Sequence, residues 1–330
     1  MITTADPERR AQGLPGPLIA IAGPTASGKS ALAIRLALKY GGEIVGCDSM
    51  QIYREMDIGT AKPTAEEMAA VPHHLVGFAD PSVPYSCADY VADADRAVTD
   101  ILGRGRLPVV CGGTGLYLET LLYSRPFSES GGRTDIRDRL TAEAEAEGGK
   151  HALWERLKQI DPASAEAVHE NNVRRVIRAL ELYYTTGKTK TELEKNSGEP
   201  RYDALCIALH TPDRSIQNAR IEKRAAAMLR SGLIEETRRL RDAGIFEKNT
   251  TAAQAIGYKE ILGYLDGTET PARAEERLCI ATRQYAKRQD TWFGGRRYMN
   301  IIDITAENPD PFEAACGRID MFLESRKAGC

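Results

Sequence analysis

Short apolar runs recur along the chain at 18–23, 43–48, 74–79, 107–112, 204–211 and near 298–303. Runs of this length, rich in branched residues, predict strands. Between them, apolar positions return at helical spacing over 29–40, 88–103, 213–230 and 272–293. Leu32 and Leu36, four apart, share one such face. Strands alternating with helices predict an α/β fold, a parallel sheet with helices on both faces. In such sheets the loops that follow the strands gather at one edge, where ligands bind.

The alternation lapses between 125 and 200. That stretch is charged and Ala-rich, and its apolar residues fall on helix faces: Leu153, Leu157 and Ile160, then Val173, Ile177 and Leu180. A strand pattern resumes at Ala204. A helical insertion domain between two strands of one sheet accounts for this. The expected division is a leader at 1–17, a core at 18–124 and 201–330, and the insertion at 125–200.

Composition changes this picture little. Of 330 residues, 42% are hydrophobic and 28% charged, as in ordinary soluble domains. No apolar run approaches the roughly 18 residues that a membrane span requires. The first 17 residues carry Asp6 and Glu8 with no apolar centre, unlike a signal peptide. Seven scattered cysteines, with no C-x-x-C pair, predict free thiols in a reducing cytoplasm. The adjacent His73 and His74 point opposite ways in a strand, which favours a sheet edge over a metal site. The net charge of −3 opposes bulk attraction to nucleic acid, so only local basic clusters can supply it.

The first strand runs into Gly23-Pro24-Thr25-Ala26-Ser27-Gly28-Lys29-Ser30, a complete G-x-x-x-x-G-K-[ST] loop that opens onto a helix. Its amides can wrap a phosphate chain, Lys29 adds a point charge, and the Ser30 hydroxyl can ligate Mg2+. Two further turns follow strands and should meet this loop: Asp48-Ser49-Met50-Gln51 and Gly112-Gly113-Thr114-Gly115. Asp48 can accept a proton from a nucleophile, or can simply cap a turn. The strand Pro108–Gly112 ends without the acidic residue that usual phosphate-loop ATPases place there, which disfavours ordinary ATP hydrolysis.

Three basic clusters lie on helical segments: Arg174, Arg175 and Arg178; Arg220 and Arg224; and Arg283, Lys287, Arg288, Arg296 and Arg297. The third is interleaved with Tyr285, Trp292, Phe293 and Tyr298. Cations mixed with aromatic rings suit RNA, which offers phosphates and stackable bases.

At this point the chain resembles the tRNA dimethylallyltransferases, also called isopentenyltransferases. The resemblance rests on Gly23–Ser30, Asp48–Tyr53, Met56-Asp57-Ile58-Gly59-Thr60-Ala61-Lys62-Pro63, Gly112–Tyr117, Arg174–Glu181, Ile256-Gly257-Tyr258, and Ala281 through Trp292, all in family order. It implies a P-loop NTPase-like fold and transfer of a dimethylallyl group from dimethylallyl diphosphate to N6 of an adenosine. That base lies 3′ of the anticodon in tRNAs reading codons that begin with U. In the family the phosphate loop holds the prenyl diphosphate with Mg2+ rather than ATP.

Asp48 is then the expected general base and Thr114 the group steering the diphosphate, assisted by Arg220 or Arg224. The tRNA contacts implied are Asp48, Ser49, Met50, Gln51, Thr114, Arg137, Arg174, Arg175, Val176, Ile177 and Arg178. They continue with Gln254, Ala255, Ile256, Gly257, Tyr258, Lys259, Lys287, Arg288, Gln289, Asp290, Thr291, Trp292, Phe293 and Gly294. The last 50 residues hold Cys316 and Cys330 but no histidine, so the chain resembles the bacterial form, which lacks the zinc finger of eukaryotic relatives. A cytoplasmic, monomeric enzyme is expected. The competing readings are a small-molecule kinase on the same loop, an RNA-binding module without catalysis, and a prenyltransferase acting on free nucleotides.

Overall fold

The computed structural model describes residues 14–124, 134–195 and 198–327. Residues 1–13 of the expected leader and 125–133 of the expected insertion lie outside them. Six strands form one parallel sheet: β1 (Leu18–Ala22), β2 (Gly42–Gly46), β3 (His73–His74), β4 (Leu107–Gly112), β5 (Ala204–His210) and β6 (Met299–Asp303), in the order β3-β2-β4-β1-β5-β6. β1 is central, with Ile19 opposite Val109 on one side and Leu205 on the other.

All five residues of β1 are fully buried although they point alternately to the two faces. Both faces are therefore covered, as parallel sheets require. On one face Ile19 and Ile21 pack with Leu32 and Leu36 of the helix Lys29–Tyr40 and with Ile319 and Phe322 of the helix Phe312–Lys327. Burying each such side chain contributes about 2 kcal/mol. The expected parallel α/β sheet is thus present, with element ends shifted by a residue or two.

One strand differs. The apolar run at 74–79 pairs with β2 only through His73 and His74, because Leu75 and Gly77 take positive φ values of 59° and 60° and end the extended chain. The histidines stand at the sheet edge: His73 bonds the Val71 carbonyl, and His74 meets Glu43 at 2.7 Å. Pro15 and Gly16, assigned to the leader from sequence, are tied to the core. The Asp203 amide donates to Pro15, and Arg326 donates to Gly16.

Two compact units divide the chain, one comprising 1–122 with 202–330 and the other 123–201. The second unit is helical, and its core joins Leu140, Leu153, Leu157 and Leu180. Within it the buried Glu181 carboxylate accepts from Arg137 and Arg178, each at 2.9 Å. In the first unit a second apolar cluster seats Ile52, Tyr53 and Met56 against Leu233, Leu240, Tyr258 and Ile261. This cluster fixes the segment that follows Asp48.

Glu43, nearly buried at the start of β2, is gripped by both guanidinium nitrogens of Arg104 and by His74. The Arg104 bonds draw its pKa down from the ordinary value to about 2. A depressed carboxylate stabilises the fold above its unfolded pKa and loses that stabilisation as pH falls toward its folded pKa. Glu43→Gln should cost about 2 kcal/mol at pH 7, and thermal melts should show the difference from wild type shrinking between pH 4.5 and 2.

Candidate active site

The phosphate loop leaves β1 and enters the helix Lys29–Tyr40. Gly28, at φ 88°, serves as its N-cap without a side chain, and no acidic residue occupies the first turn. The first amides of that helix are therefore left for a ligand. The Gly28 position is open around a notional Cβ, so its backbone conformation is what demands glycine. The Ser27 hydroxyl is buried with no partner among the described residues. Beside Ala26, Ser27 and Gly28 lies a cavity of about 300 Å³, bounded also by Arg35 and Arg220.

Cationic groups crowd this loop. Lys29 donates to the Pro24 carbonyl at 3.3 Å. Its pKa is lowered, chiefly by removal from bulk water; Cys111 and, less strongly, Asp48 oppose the shift, and Arg224 adds to it. Desolvation likewise lowers Arg224, and again Asp48 acts against it. Two desolvated cations, an orphaned hydroxyl and an uncapped helix fit an anionic ligand such as a diphosphate. Arg224 faces Lys29 and Asp48, whereas Arg220 lines the cavity beside Gly28.

Asp48 follows β2. Its Oδ1 accepts from the amides of Met50 (2.9 Å) and Gln51 (3.3 Å), which fixes the carboxylate in a turn. Its Oδ2 takes no hydrogen bond among the described residues. The cap and the base readings of Asp48 are thus compatible, one oxygen for each. Thr114 stands across from it: its hydroxyl accepts from the Ser49 amide at 3.0 Å. Tyr285, on the helix Pro271–Gly294, belongs to the same place. Burial raises its phenol, the Asp48 carboxylate adds to the shift, and Thr114 opposes it. Sequence reasoning saw Tyr285 only as an aromatic among cations.

The Gly112–Gly115 turn is closed on every side. A Cβ on Gly112 would land on the Cys47 carbonyl, one on Gly113 on the Gln289 amide, and one on Gly115 on the Trp292 indole. The long helix Pro271–Gly294 therefore packs directly on the turn's backbone. From it the buried Gln289 accepts from the Thr25 amide at 2.8 Å and donates to the Gly113 carbonyl at 2.9 Å. Gln217 donates to the Thr25 carbonyl at 2.5 Å. The Thr25 amide, expected to face a phosphate, is thus committed to protein.

The segment after Asp48 is held as firmly. Gln51 donates to the carbonyls of Thr60 and Ala61, both at 3.1 Å. The buried Glu236 accepts from the amides of Asp57, Ile58 and Gly59 and from the Tyr258 hydroxyl. Tyr258 in turn fills the space where a Gly59 Cβ would sit. These contacts explain why 56–61 and 256–258 are motifs at all.

The implied tRNA contacts divide accordingly. Arg174, Arg175, Gln254, Lys259, Lys287, Arg288, Thr291 and Gly294 are exposed. Arg137 and Arg178 are about half exposed while sharing Glu181. Ser49, Met50, Gln51, Ile256 and Trp292 are half-buried, and Asp290 is paired with His210 at 2.6 Å. Val176, Ile177, Ala255, Gly257, Tyr258, Gln289 and Phe293 are buried. For these seven, which the resemblance gave as tRNA contacts, the structure shows burial. Each lies on the inward face of its element, where apolar packing or a backbone hydrogen bond occupies it. Among the described residues no cluster of three His, Cys, Asp or Glu could hold a metal. Any Mg2+ would take its oxygens from Ser30, the diphosphate and water.

The IPP transferase family profile matches residues 51–297, and the isopentenyl transferase profile matches 17–74. The chain belongs to the IPP transferase family. It is similar to a tRNA dimethylallyltransferase of Shouchella clausii, 46% identical over 94% of this chain and 98% of the relative. One from Bacillus subtilis is 43% identical over 88% and 91%. Among solved structures, the tRNA isopentenylpyrophosphate transferase of Bacillus halodurans superposes with a TM-score of 0.67 at 39% identity, covering 94% of this chain and 99% of that one. A eukaryotic dimethylallyltransferase described as acting on tRNA gives 0.79 at 31% identity, covering 93% and 79%.

Removing the buried Glu236 carboxylate orphans three backbone amides and a phenol. Glu236→Ala should cost about 3 kcal/mol of stability, measured as a lowered denaturant midpoint.

Proposed function

We propose that this chain transfers a dimethylallyl group from dimethylallyl diphosphate to N6 of the adenosine 3′ of the anticodon, in tRNAs reading codons that begin with U. The observation carrying this reading is the free Oδ2 of Asp48 beside an uncapped, cation-lined phosphate loop. Membership of the family supplies the substrate class.

The amine of adenine is a weak nucleophile because its lone pair is delocalised into the ring. Asp48 Oδ2 accepts its proton as the nitrogen bonds to the allylic carbon. The bond from that carbon to oxygen breaks, and its electron pair leaves with the diphosphate. Lys29, Arg224, Arg220 and the loop amides neutralise the charge that develops there. Thr114, with its hydroxyl against Ser49, steers the diphosphate as it departs. Mg2+ on Ser30 would add charge neutralisation on the same oxygens. Exposed cations meet the RNA backbone: Lys287 and Arg288 on the long helix, and Arg174 and Arg175 on the insertion. We place the enzyme in the cytoplasm, where its free thiols stay reduced. We place it there as a monomer.

The direct test mixes protein, Mg2+, dimethylallyl diphosphate and an anticodon stem-loop, then weighs the RNA. A gain of one prenyl group at the adenosine beside the anticodon is expected. No gain, with ATP consumed in a parallel tube, would point instead to a kinase. Asp48→Asn should slow transfer about 10²- to 10⁴-fold while stem-loop affinity stays within a few-fold. Arg174→Ala and Lys287→Ala should each lower the salt dependence of binding by about one unit of slope; an unchanged slope removes that residue from the RNA footprint.

A further inference from the structure

Gln289 sits on the inward face of the helix Pro271–Gly294, one helical turn before Phe293, while its neighbours Lys287 and Arg288 face solvent. Only 5% of it is exposed, yet both ends of its amide are used. The oxygen takes the Thr25 amide of the phosphate loop, and the nitrogen gives to the Gly113 carbonyl, one residue before Thr114. One planar amide thus spans the two halves of the site. Glycine at 113 leaves no room between turn and amide, because a Cβ there would strike the Gln289 nitrogen. Gln217 closes the other side of the same Thr25 residue by donating to its carbonyl. Both backbone polar groups of Thr25 are consequently held by side chains, and neither is free to follow a ligand.

We infer that Gln289 is a positioning residue that sets the span between the phosphate loop and the Thr114 turn. The inference rests on the functional reading above. The reacting carbon must lie between the oxygens held by the loop and the base at Asp48, and Thr114 touches the segment that carries Asp48 through Ser49. A strut of fixed length between Thr25 and Gly113 holds these parts at the separation the reaction needs. Small misplacement of reacting groups costs rate far more than it costs affinity for the large substrate.

Gln289→Glu tests this with a nearly isosteric change. An ionised carboxylate still accepts from Thr25 but sets an oxygen against the Gly113 carbonyl. A protonated carboxyl has one donor and one acceptor, as the amide does. Burial favours that protonated form. The charged groups of the surrounding site, Lys29, Asp48 and Arg224, are present in both proteins, so the ratio of variant to wild type at each pH removes the part of the pH dependence that the two share. At pH 8.5, kcat should fall about 10- to 100-fold, with stem-loop Kd within twofold. Inorganic diphosphate, titrated calorimetrically with Mg2+, should bind about fivefold more weakly. Lowering the pH to 6.5 should return the kcat ratio toward one. Gly113→Ala, which pushes the amide away from the turn's side, should lower kcat in the same way without the pH recovery.

Equal kcat and equal diphosphate affinity in Gln289→Glu and wild type would overturn the inference. So would a parallel loss of stem-loop binding without pH recovery, which marks general damage. If the wild-type chain itself transfers no prenyl group, the functional reading fails, and the diphosphate titration still decides the strut.

Discussion

The site depends on a place where the glycines of the Gly112–Gly115 turn meet the Cys47 backbone on one side and the Gln289 and Trp292 side chains on the other. Gly112 lies against the Cys47 carbonyl, and Gly113 and Gly115 lie against the long helix Pro271–Gly294. Close-packed interiors tolerate little displacement, so the ends of β2 and β4 and the inner face of that helix are fixed relative to each other. Asp48 and Thr114 inherit their positions from this contact. The phosphate loop joins it through Thr25, held by Gln289 and Gln217. What remains in the middle is the chemistry: a carboxylate oxygen and a serine hydroxyl without a hydrogen-bond partner among the described residues, and the desolvated cations Lys29 and Arg224.

Two electrostatic designs coexist in the molecule. Around the phosphate loop, Lys29 and Arg224 pay a desolvation cost that the Asp48 carboxylate only partly offsets. Elsewhere, two buried carboxylates are engaged at both oxygens: Glu43 with Arg104, and Glu236 with three amides and a phenol. The contrast separates binding from scaffolding. Charge balanced within the protein holds loops in place, and charge left unbalanced awaits a ligand.

Much of the fold was legible in the sequence because it is written in local patterns. The strands at 18–22 and 107–112 read as apolar runs, and the phosphate loop reads as eight consecutive residues. Asp48 and Thr114 were reachable because parallel sheets bring the ends of strands together. Gln289, Gln217 and Glu236 were not legible as struts. Each acts on backbone far away in sequence, 264 residues for Gln289 and 192 for Gln217. A glutamine that bonds to a remote peptide has no local signature. The resemblance placed Gln289, Tyr258 and Val176 in RNA-contacting segments, but a segment's role does not tell which of its side chains turn inward. Periodicity carried that signal: Ile177 and Leu180 already shared a helical face.

The sheet order has a consequence for how the protein is made. β1 pairs with β4, some ninety residues on, and with β5, which begins at Ala204. Closing such distant pairs costs chain entropy before any pairing repays it, and topologies of this kind fold slowly. During synthesis β1 is made well before its second neighbour, which appears only after 123–201 has been made. Until then one edge of the most apolar strand in the molecule is bare, the condition in which nascent chains aggregate. The same central strand that anchors the finished phosphate loop is therefore the part of the newborn chain most in need of shelter.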